Sequence, residues 1–245
     1  MNIALHVEEA SLNAWPALQT VIYDGWLVRF ANNYTKRANS VTPLYSGALS
    51  LDDKIDRCED FYERRKQPTI FRLPVCAADT PALDATLASR GYQRSDETIV
   101  QVKGLAAPRY AQHESVHNIQ TATAWLPLFH AMEPARRDMS THQQMLDNII
   151  SPVNYASLTI KNQPVACGLG VYENGYVGFF DIVVDAAHRR RGYGRLLMES
   201  LLGWGQSFDD AQYAYLQVVA TNTGALRLYE TLGFEELYRY WYRVK

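Results

Sequence analysis

The chain has 245 residues, 47% hydrophobic and 20% charged. That is enough for one large domain or two small ones with a packed core, and too ordinary for a disordered or collagen-like chain. Its formal net charge of −2 excludes an overall basic field that would recruit nucleic acid. Cys58, Cys76 and Cys167 are few, odd in number and far apart, which fits reduced thiols in a cytoplasmic protein better than a disulfide framework or a zinc set. The first fifteen residues lack a signal-peptide core, and no apolar run approaches the roughly twenty residues that span a bilayer. A soluble chain with no metal and no membrane association is expected.

In chain order, apolar residues at Leu12, Trp15, Leu18 and Ile22 predict a helix. Two strand-like runs flank Asn32-Asn33, a hairpin turn candidate. "SLDDKIDRCEDFYERRK" opens with serine and acidic residues, a helix start. "TIFRLPV" reads as a strand, "TPALDATLASRG" as a helix with Pro near its start and Gly at its end, and "ETIVQVKG" as a strand. Pro and polar residues in "LAAPRYAQHESVHN" then break the pattern, and a domain boundary is expected there.

Beyond it, "TATAWLPLFHAM" and "STHQQMLDNII" look helical, and residues 155–184 give three strands separated by Asn-Gln-Pro and Glu-Asn-Gly turns. A helix follows with Leu197, Leu201 and Trp204 at i, i+4 and i+7. "AQYAYLQVV" is a strand, "NTGALRLYETLG" a helix ending in glycine, and "ELYRYWYRV" a closing strand. The pattern predicts an α/β domain with a mixed sheet. An internal repeat relates the halves: "FRLPVCAADTPALDATLASRGY" and "YLQVVATNTGALRLYETLGF" share strand, loop, helix and a terminal glycine-aromatic pair.

Three consecutive arginines, Arg189, Arg190 and Arg191, precede Gly192-Tyr193-Gly194 where a strand gives way to a helix. The first amides of a helix lack intrahelical partners, and glycines let the backbone approach an anion closely. Such an element suits phosphate. It is neither a P-loop nor the three-glycine dinucleotide fingerprint. A solvated basic turn and a nucleic-acid patch are the other readings of these residues alone.

"VVDAAHRRRGYGRLLM" resembles motif A of the GNAT superfamily of acyl-CoA-dependent N-acyltransferases, Gln/Arg-x-x-Gly-x-Gly/Ala, here Arg189, Gly192 and Gly194. "NTGALRLYETLGF" is similar to the family's second signature, through Asn222, Tyr229, Leu232, Gly233 and Phe234. The resemblance covers about 118–245 and implies a GNAT fold, a mixed, mostly antiparallel central sheet flanked by helices. With the repeat it suggests a tandem: a degenerate GNAT-like copy over 1–112, structural or acceptor-shaping, and a catalytic copy over 116–245.

The resemblance also implies roles. Ile182, Val183 and Val184 would pair through their backbone with the pantetheine arm of acetyl-CoA, the co-substrate. Backbone amides from Arg190 through Arg191, Gly192, Tyr193 and Gly194 to Arg195 would hold its pyrophosphate, and Asn222 would bond the arm farther along. Tyr229 would donate a proton to the departing thiolate.

Asp181 is the candidate base, because a carboxylate alone in the apolar run "VGFFDIVV" needs a reason to be there. A structural aspartate satisfied by a loop amide explains it as well. Gln217 occupies the position where some family members carry a glutamate base, and it cannot serve. Glu133 is a second candidate, and His130 and His188 read as structural or exposed. Trp26, Arg29, Tyr34 and Arg37 offer a wall for an aromatic or anionic acceptor, or are simply exposed strand positions. The implied function is N-acetyl transfer to a primary amine of a small molecule or peptide. A non-catalytic acyl-CoA-binding sensor is the alternative.

Overall fold

The computed structural model describes residues 3–77, 80–135 and 138–245. Helix α1 spans Ile3–Ala14 and stops two residues before Pro16, whose ring cannot continue it. Leu18 and Ile22, expected on that helix, belong instead to a strand and its approach. Strand β1 runs Gln19–Tyr23 and folds back on β2, Trp26–Phe30, with Tyr23 opposite Trp26. The turn is Asp24-Gly25, both left-handed at φ 43 and 82, the mirror-image turn that matches strand twist.

Asn32 and Asn33 are left-handed as well, at φ 49 and 59, but they do not join a tight hairpin. A single helical turn at Lys36–Ala38 intervenes before the short β3, Val41–Pro43, pairs with β2. Helix α2, Leu51–Glu63, is capped by Ser50, which accepts from Asp53 N, with Asp52 and Asp53 in its first turn. Strand β4, Ile70–Pro74, is buried throughout. Helix α3, Thr80–Ser89, ends before Gly91 at φ 87, and β5 covers Gln93–Gly104. Within the repeat, Ala78 and Asp79 lie outside the described residues.

The second half adds a strand hidden in the expected boundary segment, β6 at Val116–Ile119. Helices α4, Ala122–Met132, and α5, Met139–Asp147, follow, capped by Thr121 and Asp138. Strands β7, Val153–Ile160, β8, Gln163–Glu173, and β9, Tyr176–Val184, form the expected meander through left-handed Lys161-Asn162 and Asn174-Gly175 turns. Then come α6, Tyr193–Gly205, β10, Tyr213–Val219, α7, Thr223–Thr231, and β11, Glu235–Val244.

All of these strands join one sheet, ordered β1-β2-β3-β4-β11-β5-β10-β9-β8-β7-β6. Among the described residues only β3–β4 and β9–β10 pair in parallel, so the sheet is mixed and mostly antiparallel, with helices on its faces, as the GNAT resemblance implies. The order is a palindrome about the β11–β5 pair, apart from the extra β6. Strand β5 is inserted between β10 and β11, and β11 between β4 and β5. Each half thus receives a strand from the other.

Helix α1 belongs to the first half in sequence but lies against β8 and β9 of the second. At this junction Arg72 and Glu8 form a fully buried ion pair, and Tyr238 donates to the same carboxylate. The guanidinium also stacks 3.7 Å above the Tyr240 ring. Charges so deep in the core persist because each finds a partner.

Candidate active site

Strands β9 and β10 pair from Tyr176↔Tyr213 to Phe179↔Leu216 and then part, although both continue to Val184 and Val219. The cause lies on the other side of β9. Phe180 faces Leu169 and Val183 faces Cys167, so Asp181 and Ile182 together oppose Gly168, a β-bulge with Asp181 at φ 49. A Cβ on Gly168 would stand 2.4 Å from Ile182 Cδ1, so the bulge uses the space glycine leaves. Past the bulge, Ile182, Val183 and Val184 turn an unladdered backbone edge toward β10.

The gap is a cleft of about 560 Å³ lined by both halves. Trp15, Tyr34 and Arg37 come from the first half, and Asp181, Asn222 and Tyr229 from the second.

The reason for Asp181 is a histidine. Its Oδ2 lies 2.9 Å from Nε2 of His142 on α5, the imidazole fully buried and the carboxylate side chain 14% exposed. Neither atom has an aligned hydrogen-bond partner, so the contact is a short electrostatic one. On the far side of the ring, Nδ1 is 2.8 Å from Tyr34 Oη and 3.3 Å from His130 Nε2. Trp15 packs on the imidazole and stacks on Phe180, the residue before Asp181. Sequence reasoning missed His142. The available signal was a titratable residue on the face of α5 that also carries buried Met145 and Leu146.

Tyr229 is the buried residue of α7, at 8% exposure. Desolvation pushes its phenol up to about 12. Asn222 caps the same helix: its side-chain oxygen accepts from Ala225 N at 3.2 Å, which leaves its amide NH₂ for other partners. Gln217 Oε1 accepts from Tyr240 Oη at 2.9 Å, beside the cleft.

At the mouth of the splay, α6 begins without a side-chain cap. Its N-cap is Gly192 at φ 82, preceded by left-handed Arg190 at φ 60. A Cβ on Gly194 would sit 3.2 Å from Leu228 Cδ2 and 3.5 Å from Val184 Cγ2, so this turn is wedged between α7 and the end of β9. Arg189, Arg190, Arg191 and Arg195 are exposed, with Tyr193 half-buried. Arg189 Nε donates to Val184 O at 3.2 Å and Arg195 pairs with Glu199. The uncapped amides and the dipole of α6 give this turn the character of an anion site.

Of the four residues expected to form an acceptor wall, Tyr34 and Arg37 line the cleft. Trp26 packs edge-on against Phe71 in the first half's core. Arg29 is buried and donates to the carbonyls of Leu12, Trp15 and Arg37. Burial and the like charge of Arg72 lower its pKa to about 10. Glu133 is the C-cap of α4 and does not line the cleft, and His188 pairs with Asp185. Among the described residues no helix is long and apolar enough to cross a membrane.

The chain is 26% identical to the uncharacterized N-acetyltransferase YobR of Bacillus subtilis, over 98% of this chain and 97% of that one. Its fold is similar to a GCN5-related N-acetyltransferase from Kribbella flavida, with a TM-score of 0.73, 14% identity, and coverage of 100% of this chain and 96% of that one. It is also similar to a tandem GNAT protein from the clavulanic acid biosynthesis pathway, with a TM-score of 0.60, 15% identity, and coverage of 79% and 69%. The family model described as "Probable histone acetyltransferase Rv0428c C-terminal" matches residues 4–243. The chain belongs to that family and is an acyltransferase of the GNAT superfamily.

Proposed function

We propose that the chain transfers an acetyl group from acetyl-CoA to a primary amine that attacks the thioester directly in the β9–β10 cleft. The observation that carries this reading is convergence. One splay holds an unladdered strand edge, an uncapped helix start at its mouth, the Asp181–His142 contact, and a buried tyrosine.

The residues fit the co-substrate in shape. Gly192 adopts a dihedral a side chain resists, a Cβ at Gly194 would press on Leu228 at 3.2 Å, and α6 starts without a side-chain cap, which suits a pyrophosphate approaching its first amides. The edge of Ile182, Val183 and Val184 suits an amide-bearing arm, and in this reading the Asn222 NH₂, which its capping bond leaves free to donate, bonds it farther along. When bound, acetyl-CoA supplies an activated acyl group and a thiolate leaving group.

The protein's part is proton traffic. Asp181, backed by His142, takes the proton the amine gives up as its nitrogen bonds to the acyl carbon. Tyr229 hydrogen-bonds the sulfur as the C–S bond breaks. With its phenol near 12 against about 8.5 for a thiol, Tyr229 stabilises the thiolate chiefly as a donor, and solvent completes protonation.

In this reading residues 116–245 form the catalytic unit and residues 1–112 the acceptor-shaping one, since Trp15, Tyr34 and Arg37 face the same cleft. The test is thiol release from acetyl-CoA across small amines, amino acids and peptides, with acetyl-CoA affinity measured by calorimetry. Turnover with one acceptor class supports the proposal. Tight acetyl-CoA binding without turnover of any amine would point to a non-catalytic acyl-CoA-binding module instead.

A further inference from the structure

Arg29, Arg37 and Arg72 lie close enough at the junction between the halves to feel one another's charge, and the buried carboxylate Glu8 acts on Arg29 and Arg72. Glu8 is taken by Arg72 and Tyr238. Arg29 is spent on three backbone carbonyls. Arg37 has the Tyr240 phenol as a hydrogen-bond partner, but among the described residues no carboxylate forms an ion pair with it, and its Nε is buried with no acceptor. Burial alone would lower its pKa, but the phenols of Tyr240 and Tyr242 beside it outweigh burial and raise it, so the side chain stays cationic.

The other ionisable side chains of the cleft have neighbours of their own. Lys36 pairs with Asp96, and Asp181 faces His142. Arg37 is therefore the cation of the cleft wall with which no carboxylate among the described residues pairs. A second donor also goes unused there: Gln217 Nε2 is buried without an acceptor, while its Oε1 is held by Tyr240. An unpaired buried donor costs on the order of 1–3 kcal/mol, more when charged, so a site keeping two of them is prepared for an incoming acceptor group. The Arg37 guanidinium lies 6.0 Å from the ring of Phe180 and 5.9 Å from that of Trp15. Phe180 directly precedes Asp181, so the cation and the proposed base share one end of the cleft.

We propose that the acceptor is an amino acid or a similarly small amine bearing a carboxylate, held by Arg37 with Gln217 as a second donor while its amine faces Asp181. This rests on reading the cleft as the acetyl-transfer site. A guanidinium matches a planar carboxylate through paired N–H bonds, which an ammonium does not reproduce.

The test compares matched sets, each a free amino acid, its carboxamide and the corresponding decarboxylated amine, with acetyl-CoA affinity measured alongside by calorimetry. The expected result is kcat/KM about 10- to 100-fold higher for the acid, the range of a charge-assisted hydrogen bond. Arg37→Gln removes the preference and Arg37→Lys keeps part of it, with acetyl-CoA affinity unchanged in both. Circular dichroism and melting establish that the variants are folded. Carboxamides that match the acids, turnover of no amino acid, or a preference that survives in Arg37→Gln overturns the proposal. Failure of acetyl-CoA to bind at all overturns the transfer reading instead.

Discussion

Asp181 Oδ2 and His142 Nε2 meet 2.9 Å apart where the bulge of β9 touches helix α5, the imidazole sealed in the core and the carboxylate side chain part-exposed. The bulge produces the meeting. Without the left-handed turn at Asp181, alternation along β9 would send its side chain to the other face of the sheet. The same distortion ends the β9–β10 ladder, so one local irregularity opens the cleft and aims its carboxylate.

If the pair takes the amine's proton as a unit, Asp181→Asn lowers kcat by roughly 10²- to 10⁴-fold, the span of general-base catalysis. His142→Gln lowers it less, and the double variant is little worse than Asp181→Asn alone, because coupled residues are not additive. Acetyl-CoA affinity holds in all three. Steady-state kinetics with calorimetry decide it, and independent, multiplying losses would refute the unit.

Tyr229 yields a prediction on the alkaline side. Its phenol, lifted by burial to about 12 against about 10 when unfolded, holds its proton longer in the folded state. The native state therefore binds more protons between those values. The contribution is intact below pH 10 and fades as pH rises toward 12, by at most roughly 3 kcal/mol. Tyr229→Phe should flatten that limb in urea denaturation at pH 9 to 11, and should lower kcat without weakening acetyl-CoA binding. An unchanged alkaline limb would mean the phenol is not desolvated in solution.

Apart from β6, the elements of the second half were legible because their signals are local. Glycine spacing, the Asn-to-Tyr interval and turn dipeptides each act within a few residues. Asp181 stood out as a charge in an apolar run. His142 did not, since its value lies in meeting Asp181 and Tyr34 across long stretches of chain. The exchange of β5 and β11 was equally hidden, because strand neighbours are chosen by long-range pairing that side-chain alternation does not encode. Strand β1 carries a helical signal because Leu12, Trp15, Leu18 and Ile22 keep a helical period, while Pro16 breaks the backbone between them.

Glu8 and Arg72 tie α1 to β4 through a charge pair with no solvent access, and Tyr238 of β11 bonds the same carboxylate from the second half. Removing one partner leaves the other buried and uncompensated, at a cost of about 3–5 kcal/mol. Glu8→Ala should accordingly lower the melting temperature by on the order of 10 °C. Glu8→Gln, which keeps an acceptor for Arg72 and Tyr238, should cost less. Chemical denaturation gives the number, and a loss under about 1 kcal/mol for Glu8→Ala would show that water reaches Arg72.

The reciprocal insertion of β5 and β11 bears on whether either half stands alone. In a fragment of residues 116–245, β10 and β11 lack the strand that pairs with both, since β5 contributes Thr98 to Gly104 to β10 and Gln93 to Val102 to β11. An empty slot between two strands leaves a row of backbone donors and acceptors unpaired on each side, which a soluble fold does not tolerate. The palindromic strand order supplies a remedy: β11 of a second copy can fill the slot, and that copy's slot is filled in return. The expected outcome is that residues 116–245 form a homodimer by light scattering, and that adding residues 1–112 converts it to a one-to-one complex with the spectrum of the intact chain. A folded monomer of residues 116–245 would show that the slot closes within the half, and that the exchange is a consequence of tethering rather than a requirement of the sheet.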